Sequence, residues 1–104
     1  MPKTANRVTE NEVAFAIVQI AKTAPNGVVS FARCKREIPG HLKLSAADRV
    51  VSKTRPNEEM WEQQIRNIKS HHADAGNYIC EGYLTHVPRV GYEVTDSGKQ
   101  RKHP

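Results

Sequence analysis

The chain has 104 residues, of which 26% are charged and 38% hydrophobic, with a formal net charge of +5 and a sequence pI of about 9.5. That length allows one domain with a modest core, and the composition places the chain among soluble globular proteins rather than disordered ones. No apolar run approaches membrane-spanning length and residues 1–7 lack the apolar stretch of a signal peptide, so no membrane is expected as a partner and a cytoplasmic location is expected.

The charge is unevenly spread. Residues 30–55 carry seven bases (Arg33, Lys35, Arg36, Lys43, Arg49, Lys53, Arg55) against Glu37 and Asp48, while residues 56–96 carry three bases and seven acids. A basic block beside a polar helix suits a polyanion such as nucleic acid. Cys34 and Cys80, outside any secretory context, read as reduced thiols.

Residues 1–8 read as an N-terminal arm, 9–99 as a single domain and 100–104 as a basic tail, with Ser97–Pro104 expected to be loosely ordered. Thr9 and Glu12 stand at capping-box spacing, with Val8 and Val13 placed for a hydrophobic staple across that cap. Val13, Ala16, Ile17, Ile20, Ala21 and Ala24 then form an apolar stripe that Pro25-Asn26-Gly27 stops. Phe15 and Val18 lie on the opposite side of this helix. That second face either packs within the chain, the preferred reading, or forms a homodimer contact through Phe15 and Val18. Val28-Val29 is extended, Ser30 caps a second helix, and Phe31, Cys34 and Ile38 form its buried side. Arg33, Lys35 and Arg36 are left towards solvent. Pro39-Gly40 ends it.

Ser45-Ala46-Ala47-Asp48 resembles a capping box and predicts a short helix over 46–52, with Leu42, Leu44, Val50 and Val51 as its residues to bury. Lys53–Asn57 reads as a polar turn with Asn57 as the cap of the next helix, 58–72. On it Trp61, Ile65, Ile68 and His72 share one face. The opposite face carries Glu59, Gln63, Arg66, Asn67 and Ser70, with Glu62 and Lys69 on the flanks. These side chains can read base edges: Gln and Asn pair with adenine, Arg with guanine, Glu with cytosine. An ordinary solvent face would look the same in isolation; the following ribbon favours the groove reading. After Ala73-Asp74-Ala75-Gly76, residues 83–87 and 92–95 alternate as strands joined by Pro88-Arg89-Val90-Gly91. Leu84 and Val94 face the core, and His86 and Arg89 sit near the ribbon tip, Arg89 as a phosphate contact.

Ile65-Arg66-Asn67-Ile68-Lys69-Ser70-His71, then Glu81-Gly82-Tyr83-Leu84, then Gly91–Gly98, in that order, resemble the winged-helix domains attached to bacterial restriction systems. The N-terminal DNA-binding domain of Mrr-type restriction endonucleases is the similar family, and Leu44-Ser45-Ala46-Ala47-Asp48 stands where that group has an upstream Leu-Ser-x-x-Asp element. The resemblance covers roughly residues 9–99. It implies a winged helix on double-stranded DNA, with Gln63, Arg66, Asn67 and Ser70 at the groove and Arg89 on the wing. No nuclease domain follows before Pro104, so no cleavage is expected.

There is no Cys-x-x-Cys pair and no His-x-x-x-His pair, the carboxylates are scattered, and no Gly-rich phosphate loop occurs. No metal, cofactor or enzymatic activity is therefore expected. The expected fold is α+β, mostly α: a winged helix-turn-helix of three to four helices plus a C-terminal two-stranded β-ribbon. The expected function is sequence-reading binding of double-stranded DNA, as a nucleoid-associated transcription regulator or the recognition component of a restriction or defence system. Gln63, Arg66, Asn67 and Ser70 would lie at the groove, with Lys69 on the helix flank and His86 near the ribbon tip as further DNA contacts. Arg33, Lys35, Arg36, Lys53, Arg55 and Arg89 would attract phosphates. The alternative is a winged helix that binds a protein partner through the acidic helix face.

Overall fold

Helix α1 spans Glu10–Ala21 in the computed structural model, which describes residues 7–104. Its start is fixed as the local sequence dictates. Glu12 N–H donates to Thr9 Oγ1 at 3.0 Å, and Thr9 N–H donates to Glu12 Oε1 at 2.7 Å. Val8 is buried with Val13, so the expected arm 1–8 joins the domain at least from Val8; residues 1–6 of that arm lie outside the described residues. The chain then turns through Asn26 (φ 59°) and Gly27 (φ 70°), a left-handed pair that asparagine and glycine adopt at least cost. Strand β1 (Val28–Ser30) runs directly into α2 (Phe31–Glu37), whose first turn is held by Arg33 N–H donating to Ser30 Oγ. Cys34 and Ile38 are fully buried beneath α2, and burial pushes the Cys34 thiol up to about 12, which keeps it protonated and inert.

The helix expected over 46–52 does not form. Ser45 and Asp48 do cap each other: Ser45 N–H donates to Asp48 Oδ2 at 2.9 Å and Asp48 N–H to Ser45 Oγ at 3.2 Å. One turn follows and then stops, because the carbonyls that would extend it are taken from elsewhere. Asp48 O accepts from Trp61 N–H and Val50 O from Met60 N–H, while Ser52 N–H donates to Glu58 O. The segment instead runs antiparallel to residues 58–60, with a bridge between Val51 and Glu59. Val50 and Val51, expected to be buried, are 51% and 55% exposed. Asp48 is buried and its Oδ1 accepts from Val8 N–H at 2.9 Å, tying this turn to the entry of α1.

Helix α3 covers Met60–Ser70, shorter at both ends than 58–72. Glu59 rather than Asn57 is its cap: Glu59 N–H donates to Glu62 Oε1, and Trp61 Nε1–H donates to Glu59 Oε1. Trp61, Ile65 and Ile68 are buried as their spacing requires, but His72 is exposed. It falls beyond Ser70, where the helical phase that would have turned it inwards has ended. Asn77 closes the gap by donating to Ile68 O at 2.8 Å and accepting from Ile79 and Cys80 N–H.

Strands β2 (Leu84–Val87) and β3 (Gly91–Val94) form the expected hairpin, and β1 joins it to give a three-stranded antiparallel sheet in the order β1-β3-β2. A side chain at Gly91 would put a Cβ 1.9 Å from Val29 O, so glycine is what admits β1 beside β3. The described residues are thus α+β, with four helices and one antiparallel sheet. Helix α1 is central, touching α2, α3, β1 and β3 as well as α4, a single turn over Asp96–Lys99 capped by Thr95. This central place leaves Val18 fully buried and Phe15 half-buried against the core, so a dimer contact through Val18 is excluded by the fold of the monomer. Of the tail expected over 97–104, residues up to Lys99 join α4 and the rest packs back on the domain. The Arg101 guanidinium lies 4.9 Å from the Tyr83 ring centre, and the Tyr78 hydroxyl contacts the carbonyls of His103 and Pro104 at 3.2 Å each. No helix among the described residues is long and apolar enough to cross a membrane.

Candidate nucleic-acid interface

With Trp61, Ile65 and Ile68 turned inwards, the 100° helical step sends Gln63, Arg66, Asn67 and Ser70 outwards on α3. Their freedom differs. Gln63 is half-buried and its Nε2 donates to Ser52 Oγ at 2.5 Å and Thr54 Oγ1 at 3.2 Å, so it holds the preceding loop rather than standing free. Asn67 is half-buried and donates to Gln64 Oε1 at 3.1 Å. Ser70 is exposed, its hydroxyl bonded back to Arg66 O. Arg66 forms an ion pair through Nη2 with Glu58 Oε2, and its Nε is buried without a partner. Lys69, on the flank facing α2, has its ammonium 5.4 Å from the centre of the Phe31 ring.

The hairpin docks on this helix through Tyr92, whose hydroxyl donates to Ile65 O at 2.5 Å. Its tip is the tight turn Val87-Pro88-Arg89-Val90, closed by Val90 N–H donating to Val87 O. Proline suits the first central position of such a turn, and Arg89 occupies the left-handed second one at φ 66°. Arg89 is exposed. His86 is not at the tip surface: alternation along β2 puts it on the same side as the buried Leu84, and it is half-buried with its ring 6.2 Å from Phe31 and 6.0 Å from Tyr92. Burial first, and the nearby Lys69 charge second, hold its pKa below the ordinary histidine value. It packs against Phe31 and Tyr92 rather than standing at the ribbon tip.

The basic block is partly neutralised by the acidic segment after it and by its own Glu37. Lys35 Nζ lies 3.1 Å from Glu58, Arg49 lies 3.6 Å from Glu59, and Arg33 pairs with Glu37 at 2.6 Å, with Arg36 3.7 Å from the same carboxylate. Lys43, Lys53, Arg55 and Arg89 make no ion pair among the described residues and are exposed. Arg36 keeps most of its side chain in solvent. The unneutralised cations are therefore fewer than the sequence count.

Glu58 is the residue that the sequence reading misplaced. Expected as the first residue of the helix 58–72, it instead precedes α3, is 8% exposed and sits between Lys35 of α2 and Arg66 of α3. Burial raises its pKa, but the hydrogen bonds and charges of Lys35 and Arg66 outweigh that and leave it lowered, so it is ionised at neutral pH. The opposite signs of residues 30–55 and 56–96 were the available signal that the two segments fold onto one another. With Phe31, Ile65 and Lys69, these three groups line a small cleft of about 120 Å³ between α2 and α3. Among the described residues no three His, Cys, Asp or Glu side chains converge as a metal site would require. Comparison of the chain with models of protein families, with curated proteins and with solved structures gave no match.

Proposed function

We propose that this protein binds duplex DNA as a winged helix-turn-helix, with α3 in the major groove and the β2–β3 hairpin as the wing. The observation that carries the reading is the pairing of two features. The outward side of α3 keeps Arg66, Asn67 and Ser70 at the surface, and the hairpin fixed to that helix through Tyr92 ends in an exposed arginine. The element order helix, strand, helix, helix, hairpin, with the first strand beside the second hairpin strand, supports it. Arg66, Asn67 and Ser70, flanked by Lys69, are the base-reading candidates. Arg36, Lys53, Arg55 and Arg89 are the phosphate contacts. Gln63 braces the loop, and Arg33 and Lys35 serve the ion pairs described above. In the cell this is a nucleoid-associated role, as a transcription regulator or the recognition part of a restriction or defence system.

Titration of generic duplex DNA at two salt concentrations tests it. Four phosphate contacts give a log–log salt slope of about −3.6, or roughly a hundredfold loss of affinity between about 50 and 200 mM salt. No measurable binding at the lower salt refutes the reading. Arg89→Gly sharpens the test, because glycine accepts the left-handed turn position while one charge is lost. The slope should become shallower by about one unit with the fold intact.

A second reading, a protein-interaction module, is favoured by one observation: Val50 and Val51 present apolar surface next to half-buried Met60. Under it the DNA titration stays flat at both salts.

A further inference from the structure

Arginine recognises guanine by presenting two parallel N–H donors to O6 and N7, and its discrimination depends on how firmly the fork is held. A free arginine on a helix surface loses much side-chain entropy when it docks, whereas one already held loses less. Arg66 is held. Its Nε is buried, one Nη2 hydrogen is committed to Glu58, and Nη1 makes no hydrogen bond among the described residues and is not among the buried unpartnered atoms. The outer edge of the guanidinium, formed by Nη1 and the second Nη2 hydrogen, is thus the part left open. Glu58 is itself held by a second cation: Lys35, on α2, donates to the same Oε2 at 3.1 Å. The Arg66 side chain is 37% exposed while that of Glu58 is 9% exposed, so the carboxylate is the buried support and the guanidinium the accessible head.

We infer that Arg66, held by Glu58 and Lys35, is a site for the major-groove edge of one guanine, and that Glu58 is the positioning residue that sets this specificity. The inference rests on the DNA-binding reading and deepens it. It also gives a role to an acid in a surface that should otherwise favour only cations. A buried carboxylate neutralised by two cations does not repel the phosphates as a free one would, and it restrains where Arg66 can reach.

The experiment begins with selection of binding sites from random duplexes by the whole protein. Each guanine in the selected duplex is then replaced singly by 7-deazaguanine, which lacks the N7 acceptor. One position should weaken wild-type binding about tenfold, within the range of a bidentate base contact. Glu58→Gln, which keeps the shape and removes the charge, should reduce that discrimination to less than about threefold while leaving the salt slope unchanged. Arg66→Lys keeps the charge but lacks the fork, and should abolish the discrimination at the same position. Because Arg66 is at the surface, that second variant keeps the test open should Glu58→Gln unfold. A merely structural Glu58 would lower the melting temperature and leave the 7-deazaguanine ratio as in wild type, which overturns the inference. A selection that yields no guanine sensitive to the replacement also overturns it, yet leaves the DNA-binding reading standing. Absence of any DNA binding removes both.

Discussion

In α1 every apolar side chain except Phe15 is buried, while between His41 and Glu59 the buried residues are Asp48, Ser52 and Glu58, and Val50 and Val51 stand in solvent. The helix is held by apolar contact, which has no direction and tolerates small shifts. The segment is held by hydrogen bonds and ion pairs, each of which needs its own partner at the right distance. Both attach to the same core, and Asp48 joins them through Val8 N–H. The difference matters for the proposed function because the polar segment, not α1, carries Glu58, the support beneath Arg66, and Ser52 and Thr54, the partners of Gln63.

The comparison breaks first at its strongest point. Ile17 is fully buried in the middle of α1, and Ile17→Ala should cost about 4 kcal/mol, from lost burial together with the cavity left behind. Asp48→Ala should cost about 2–3 kcal/mol, because it leaves Val8 N–H and Ser45 N–H without their acceptor inside the protein. Urea unfolding of both variants gives the two values. A loss under about 1 kcal/mol for Asp48→Ala would mean that the segment is held by its leucines and not by its polar contacts. The third variant works in the opposite direction: Val50→Ser with Val51→Ser should change stability by no more than about 0.5 kcal/mol, as exposed substitutions do. A large loss there would show that the two valines are covered in solution.

What could be read from the sequence follows the same division. The Thr9–Glu12 cap, the Val13–Ala21 stripe, the Ser30 cap and the β2–β3 alternation are local patterns, in which the residues that interact lie within a few positions of each other. The Ser45–Asp48 box was equally legible and equally real. Its continuation was not, because the donors that claim the carbonyls of Asp48 and Val50 come from Trp61 and Met60, outside the local window. The third strand was missed for a similar reason: β1 is short and its partner β3 is some sixty residues away, joined only because Gly91 allows the approach. At the candidate site the outward residues of α3 follow from periodicity alone. That Gln63 is occupied, that His86 faces inwards and that Glu58 holds Arg66 depend on contacts across elements, which charge counts by segment could only suggest.

The smallest effect concerns the polar end of α1 itself. Glu10 accepts from His71 Nδ1 at 2.6 Å and from Asn77 Nδ2 at 3.0 Å, tying the start of α1 to the end of α3. The hydrogen bond to Glu10, and then its charge, raise the His71 pKa above the ordinary 6.5. A histidine whose folded pKa is raised binds its proton more tightly in the folded state. The stabilisation is therefore complete below about 6.5 and is lost as pH rises through the raised folded value. His71 is exposed, so salt should weaken the effect, and it should be smaller than that of Asp48→Ala. Urea midpoints of wild type and Glu10→Gln, measured from pH 6 to pH 9, isolate the pair, since other titrating groups are common to both. The wild-type advantage should be greatest at pH 6 and shrink towards pH 9. An advantage that grows with pH would mean that His71 is held neutral, and that α1 is tied to α3 by Asn77 and apolar contact alone.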